Sequence, residues 1–481
     1  MITGLNPYPA MKDSGLPWLR EVPSTWDIAR NGRLFAERKE TGFGDLPILE
    51  VSLRTGVRVR NLDASGRKQV IADREKYKRA CSGDLAYNMM RMWQGAIGMA
   101  PVDGLVSPAY VVAKPFAGTD PRYFEYLFRT DAYMGEVDKF SHGIVKDRNR
   151  LYWEEFKQMP SPFPPAGEQA SIVRFLDHAD RRIRRYIRAK QRLIKLLEEQ
   201  KQVIIQSAVT RGLDRNVRLK PSRVQWLGDV PEHWEVLPLR RVTIARCDGP
   251  FGSGLKSSHY TEEGVRVIRL QNIGHAEFRD SDASFIAQAH YATLGDHSVQ
   301  AGDLLIAGLG DERHPAGRAC VAPASIVPAM VKADCFRFRL VASRLNPAFA
   351  ALHLTATAVA ASAILSTGAT RQRTNLQSTA ARAICVPPMP EQRAIVVAIS
   401  NDTALLKSAI DRAQREIALL REYRASLIND VVTGKLDVRE AAARLREEAE
   451  EPEPLDDADT SEVEDEAEDS DIDHEAGEAE T

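Results

Sequence analysis

Pro164-Pro165-Ala166-Gly167-Glu168-Gln169 recurs as Pro387-Pro388-Met389-Pro390-Glu391-Gln392. Further along, Val209-Thr210 with Leu213-Asp214 recurs as Val432-Thr433 with Leu436-Asp437. Both pairs of markers are offset by 223, so the two segments align without a gap. Between the markers Ile183, Ile187, Lys190, Ile194, Leu197, Lys201, Ile204 and Ala208 step alternately by four and three. Leu406, Ile410, Ala413, Ile417, Leu420, Arg424, Leu427 and Val431 take the same steps. This is an a/d heptad stripe, the mark of a long helix that must bury one face. Pro-Pro with Glu in the first turn suits a helix start, and Gly212 and Gly434 suit C-terminal caps. The simplest burial pairs the two stripes as an antiparallel coiled coil with two-fold-like symmetry. Packing of each helix on its own body is the other reading. Lys201 and Arg424, at matched seam positions, are the polar residues that set register in such pairs.

A second repeat lies upstream. Trp18-Leu19-x-x-Val22-Pro23-x-x-Trp26 recurs as Trp226-Leu227-x-x-Val230-Pro231-x-x-Trp234, with an offset of 208. The chain is therefore written twice, each half a body followed by a constant helical segment. Strand-like runs at 47–51, 110–113, 265–270 and 303–306, with helical runs at 122–133 and 348–365, make the bodies mixed α/β, or α+β. Gly83-Asp84-Leu85 and Gly302-Asp303-Leu304 echo one another as turns that feed a buried strand. Elsewhere the bodies barely resemble each other.

Composition narrows the class. The 481 residues are 43% hydrophobic and 27% charged, as in soluble globular proteins. No apolar run reaches the roughly 18 residues of a membrane span, and no secretory signal opens the chain. Five scattered cysteines, never spaced C-x-x-C, point to a reducing cytoplasm rather than a disulfide framework or a cysteine zinc site. The net charge of −2 hides a division: residues 447–481 hold 19 Asp/Glu and no Lys/Arg. The rest sets 65 basic side chains against 48 acidic ones, a balance of +17. A basic body suggests nucleic acid as partner, and the acidic, apolar-poor tail is expected to be disordered.

The duplicated Pro-Pro-x-x-Glu-Gln, the Val-Thr-x-x-Leu-Asp endings and the W-L-x-x-V-P-x-x-W entry resemble the specificity subunit of type I restriction–modification systems. The resemblance covers residues 15–438. Gly83-Asp84-Leu85-Ala86-Tyr87-Asn88 with Ser107-Pro108-Ala109-Tyr110 also resembles one recurring class of target-recognition domain. It implies two target-recognition domains, 1–165 and 216–386, each reading half of a split sequence in double-stranded DNA. It implies that helical spacers 166–215 and 387–438 act as ruler and as dock for two adenine methyltransferase subunits, with a restriction/translocase subunit joining. S-adenosylmethionine, ATP and Mg would then sit on the partners. The acidic tail, 439–481, departs from the family pattern.

Catalytic motifs are missing. Gly434-Lys435 is followed by Leu436, so no P-loop forms. Phe251-Gly252-Ser253-Gly254 and Asn346-Pro347-Ala348-Phe349 lack the spacing of a methyl-donor loop and a flipped-base loop, and read as turns. Glu37-Arg38-Lys39 reads as a solvated surface triplet rather than a nuclease motif. No H-x-x-x-H or H-E-x-x-H pattern exists. The expected role is a non-catalytic DNA-recognition subunit. The alternatives are a self-sufficient DNA-modifying enzyme with a degenerate active site, or a coiled-coil scaffold without DNA specificity.

Base reading calls for Arg toward guanine and Asn or Gln toward adenine, with cations on phosphates. The first body offers Asn88, Arg91 and Trp93, and a pre-helix loop with Ser141, His142, Lys146, Arg148 and Arg150. The second offers Gln271 and Asn272, and a pre-helix loop with Thr367, Arg371, Gln372, Arg373 and Asn375. Arg181, Arg182, Arg184, Arg185, Arg188 and Arg192 crowd the first helix and suit DNA backbone, solvent or a partner's acidic surface alike.

Overall fold

The computed structural model describes residues 5–53, 55–60, 74–143, 149–311, 313–365 and 372–445. The chain forms two compact units, Met1–Arg181 with Arg424–Thr481, and Arg182–Tyr423. Each unit thus takes a body together with parts of both long helices.

In the first unit, hairpin β1 (Met11–Leu16) and β2 (Leu19–Pro23) leads into β3 (Asp27–Arg30). An antiparallel sheet follows, built from β4 (Phe35–Arg38), β5 (Leu85–Asn88), β6 (Ile97–Met99) and β7 (Tyr110–Pro115) in the order β4-β7-β5-β6. Helix α1 (Pro121–Phe128) packs against β6, and α2 (Asp131–Phe140) packs against the Met92–Gln94 turn. The sequence suggested one helix across this stretch. Thr130 instead caps α2 by accepting the Tyr133 N–H, which divides the run. Phe35, Phe124, Phe128, Tyr133 and Phe156 form an aromatic core, with centroids 4.7 Å apart for Phe128 and Tyr133. β8 (Pro160–Phe163) pairs with β3 and delivers the chain to α3 (Ala166–Arg211).

The second unit reuses this plan. β9 (Glu235–Pro238) precedes an antiparallel sheet of β10 (Thr243–Cys247), β11 (Leu304–Ala307), β12 (Ala319–Val321) and β13 (Cys335–Leu340), ordered β10-β13-β11-β12. On β13, Phe336, Phe338 and Leu340 alternate with arginines, and these apolar residues are buried, as period-two patterning requires. A separate five-stranded sheet contains Val265–Ile268, which pairs in parallel with Ala329–Val331. The helical run expected at 348–365 is divided at Thr357 into α4 (Pro347–Ala356) and α5 (Ala358–Leu365). β14 (Ala383–Val386) pairs with β9 and delivers the chain to α6 (Met389–Val432). A short helix, α7 (Arg439–Arg444), follows.

α3 has 46 residues and α6 has 44, so each is close to 70 Å long at about 1.5 Å per residue. Every stripe position on both helices is buried or half-buried. Within the first unit, seam residue Arg424 pairs with buried Asp180. Within the second, seam residue Lys190 pairs with Glu416 at 2.6 Å.

The repeated motifs build one frame twice. In the first unit, Trp26 Nε1 donates to Glu168 Oε1 at 2.7 Å, and the Tyr8 hydroxyl donates to the same oxygen. Burial, then this carboxylate, pushes the Tyr8 phenol above its ordinary range. Gln169 Nε2 donates to the Pro164 carbonyl at 2.7 Å, and its Oε1 accepts the N–H of Asp120, the N-cap of α1. In the second unit, Trp234 Nε1 donates to Glu391 Oε1 at 3.0 Å. Gln392 Nε2 donates to the Pro387 carbonyl at 2.7 Å, and its Oε1 accepts the N–H of Asn346, the N-cap of α4. Trp26 meets Tyr123 edge-on at 6.3 Å, and Trp234 meets Phe349 likewise at 6.5 Å.

The helix ends complete each frame. Gly434 (φ +77°) lies against Pro23 and Trp26 in the first unit, where Tyr123 Oη also donates to the Val432 carbonyl at 2.9 Å. Gly212 (φ +77°) lies against Trp234 and Glu391 in the second. Positive φ ends a helix in the left-handed turn that glycine adopts without strain.

Candidate nucleic-acid interface

The two Gly-Asp turns show why the bodies echo there. Asp84 is buried, accepts the Cys81 N–H at 2.8 Å, and receives Arg38 Nε at 2.7 Å. Asp303 is buried, accepts the Gln300 N–H at 2.8 Å, and receives Arg339 through two nitrogens at 3.0 and 2.9 Å. Arg38 is therefore not part of a solvated triplet: its side chain is 12% exposed and holds the strand that leads to Asn88. This buried pairing carries the base of β5 and β11; β5 ends at the Asn88 turn, and β11 runs on to Leu309–Gly310, which pairs with Gln372–Arg373.

In the first unit the two candidate loops come together. The Leu151 N–H donates to the Met89 carbonyl at 2.9 Å, tying the neck of the pre-helix loop to the Asn88–Trp93 turn. His142 and Arg150 face each other across that neck, exchanging backbone hydrogen bonds of 3.1 and 3.0 Å, with exposed side chains. Lys146 and Arg148 lie outside the described residues. Asn88 is buried and its Oδ1 accepts the Met90 N–H at 2.9 Å. Ser141 is buried and its Oγ donates to the Val137 carbonyl at 2.7 Å, closing α2. Asn88 thus binds its own turn and Ser141 the end of α2. Trp93 Nε1 donates to the Met90 carbonyl at 3.0 Å, and Arg91 opens the short turn Met92–Gln94.

In the second unit a residue absent from the sequence reading joins the two loops. Arg318 is buried. Its guanidinium donates to the carbonyls of Leu270 (3.0 Å) and Ile273 (2.7 Å) on one side, and of Leu309 (3.0 Å) and His314 (2.9 Å) on the other. Strand Leu309–Gly310 pairs with Gln372–Arg373, so the Gln271 turn and the second pre-helix loop share one edge. Asn272 is fully buried and donates to the Arg279 and Asp282 carbonyls, which fixes the turn rather than presenting the amide outward. Gln271, exposed, binds Asp282; this contact is the chief reason that Asp282 is held below the usual carboxylate range.

Gln372 Oε1 accepts the Ala316 N–H at 3.3 Å. Arg373 is 62% exposed and touches Asp334 at 3.1 Å. Asn375 caps helix Leu376–Ala381 through the Ser378 N–H. Thr367 and Arg371 lie outside the described residues.

Exposed Arg279 and Arg313, with His314, border the same edge, and Arg279 Nη1 approaches His314 Nε2 at 3.4 Å. Burial, then His314, holds the His275 imidazole below its ordinary range. No motif marks these residues, because only tertiary pairing of distant turns brings them beside Gln372. The resulting edge offers guanidinium, amide and imidazole donors, the set that reads groove edges and holds phosphates.

The motifs set aside as non-catalytic are structural here. Asn346 Oδ1 accepts the Ala348 and Phe349 N–H groups at the start of α4, and Gly252–Gly254 is a short turn. Among the described residues no cluster of His, Cys, Asp and Glu is arranged to hold a metal ion. No described helix is long and apolar enough to cross a membrane.

The chain is 26% identical over 152 residues to the type I restriction enzyme MjaVIII specificity subunit of Methanocaldococcus jannaschii. Over that stretch the chain is similar to a type I specificity subunit. The matched stretch is 32% of this chain and spans a third, 33%, of that relative's length. A solved chain from work on complex assembly and conformational transition of the type I R-M system superposes with TM-score 0.62 at 16% identity. It covers 86% of this chain and 99% of that one, and so shares the fold. The HsdS subunit from Thermoanaerobacter tengcongensis gives TM-score 0.43 at 16% identity, covering 86% and 98%. No family model matches the chain.

Proposed function

We propose that this chain is the DNA-recognition subunit of a type I restriction–modification complex. The observation that carries the reading is the duplicated frame: the same Trp–Glu and Gln–N-cap contacts fasten two different bodies to the start of a long helix. A constant frame with divergent loops is what a reader of two unrelated half-sites requires. Each body reads one half-site through its loop edge, with phosphate contacts setting register and side chains on base edges setting sequence.

The stripes of α3 and α6 pair as an antiparallel coiled coil that spaces the two readers. Two ion pairs support this: ten residues forward on α3, from Asp180 to Lys190, correspond to eight residues backward on α6, from Arg424 to Glu416. The helices dock two adenine methyltransferase subunits, and a restriction/translocase subunit joins them. The chain itself is non-catalytic. S-adenosylmethionine, ATP and Mg belong to the partners. No observation favours a self-sufficient modifying enzyme.

The test is co-expression with the partner methyltransferase in a host lacking adenine methylation, followed by sequencing that detects methyladenine. The expected motif is two short specified blocks separated by an unspecified spacer, absent without this chain. A continuous motif, or methylation independent of this chain, overturns the reading.

A further inference from the structure

The last described residue, Leu445, is fastened to α3: Arg174 Nη2 donates to its carbonyl at 2.6 Å. Arg174 begins a row. Arg174, His178, Arg181, Arg185, Arg188 and Arg192 step by four and three, so they share one face of the helix. Arg174, Arg181 and Arg192 are exposed. The row runs about 27 Å along the helix. Two residues beyond Leu445 the chain becomes acidic, with 19 carboxylates between Glu447 and Thr481 and no cation. A stretch of that length reaches roughly 115 Å when extended, ample to follow the row from its first member.

We propose that residues 447–481 lie along this arginine face of α3 and compete there with DNA phosphates. The proposal rests on the DNA-binding reading above. Three things point to this occupant: complementary charge, the anchoring of Leu445 beside the first arginine, and the length of chain that follows. Tethering gives the tail a high effective concentration at the face. Binding to DNA of arbitrary sequence is almost wholly electrostatic, so a tethered polyanion suppresses it most. Base contacts made by the loops are spared. The tail thereby raises discrimination without touching a base.

The experiment compares the full chain with one ending at Leu445. The first probe is a duplex of arbitrary sequence, titrated across salt. The second is a labelled peptide of residues 446–481 added to the shortened chain. Shortening should tighten duplex binding about tenfold at low salt, with the difference fading as salt rises. The peptide should bind the shortened chain, and Arg181→Glu with Arg192→Glu should weaken that binding at least about fivefold, as expected for a charge-dependent seat. Equal duplex affinity for the two chains overturns the competition. Peptide binding that ignores both charge reversals overturns the seat. The peptide result stands apart from the functional reading, which fails instead if no bipartite DNA motif depends on the chain.

Discussion

Trp26 Nε1 donates to Glu168 Oε1 at 2.7 Å across 142 residues of chain, joining the entry motif of the first body to the opening turn of the long helix. Trp26 is fully buried and Glu168 nearly so. Glu168→Ala removes the acceptor of both Trp26 and Tyr8. Each buried donor left unpaired costs about 1–3 kcal/mol, so a clear drop in the urea midpoint is expected. Glu391→Ala should cost less, because the Glu391 side chain is 28% exposed and water replaces it.

Gly434 and Gly83 separate backbone strain from close packing. Both have positive φ, +77° and +89°. A Cβ on Gly83 meets nothing within 4 Å, so Gly83→Ala carries only the conformational penalty, about 1 kcal/mol. A Cβ on Gly434 would sit 2.6 Å from Pro23 Cγ and 3.2 Å from the Trp26 ring. Gly434→Ala should therefore lower the thermal midpoint further than Gly83→Ala.

The Asp180–Arg424 pair predicts strong coupling. Asp180 is 9% exposed and Arg424 35%, so this is a partly desolvated seam contact rather than a surface pair. A double-mutant cycle with Asp180→Ala and Arg424→Ala should give a coupling energy of about 0.5–3 kcal/mol by urea denaturation. Exchanging the two residues should recover part of the loss. Additive single effects would show that the contact does not join the helices.

His353 predicts acid sensitivity. It is fully buried on α4, and burial, then neighbouring Arg382, lowers its pKa to about 3 from the ordinary 6.5. The folded state thus disfavours the imidazolium. Stability from this group is complete above about pH 6.5 and is lost as pH falls toward 3. His353→Gln should flatten the stability profile over that interval, measured by urea midpoints at stepped pH. An unchanged slope would assign the acid sensitivity elsewhere.

Much of this architecture is legible in the sequence because its determinants are local or repeated. The heptad stripes, the glycine caps and the Gly-Asp turns depend on short spacings, and the structure places them as that spacing requires. The Trp–Glu contact is legible only as two unexplained repeats, since no sequence rule pairs residues so far apart. The candidate interface is harder. Asn88, Ser141 and Asn272 are polar residues in the right loops, yet burial turns each toward backbone. Arg318, Arg279 and His314 carry no motif, because their placement follows from contacts between segments far apart in the sequence.

The central claim is that each body reads its own half-site on a shared frame. The most direct measurement replaces residues 216–386 with the corresponding body of a specificity subunit that directs a different half-site, keeping Trp26, Glu168 and both long helices. The methylated motif of the complex is then sequenced. One block should change to the donor's sequence while the other block stays as in the parent. A motif altered in both blocks, or unaltered in both, would contradict the account.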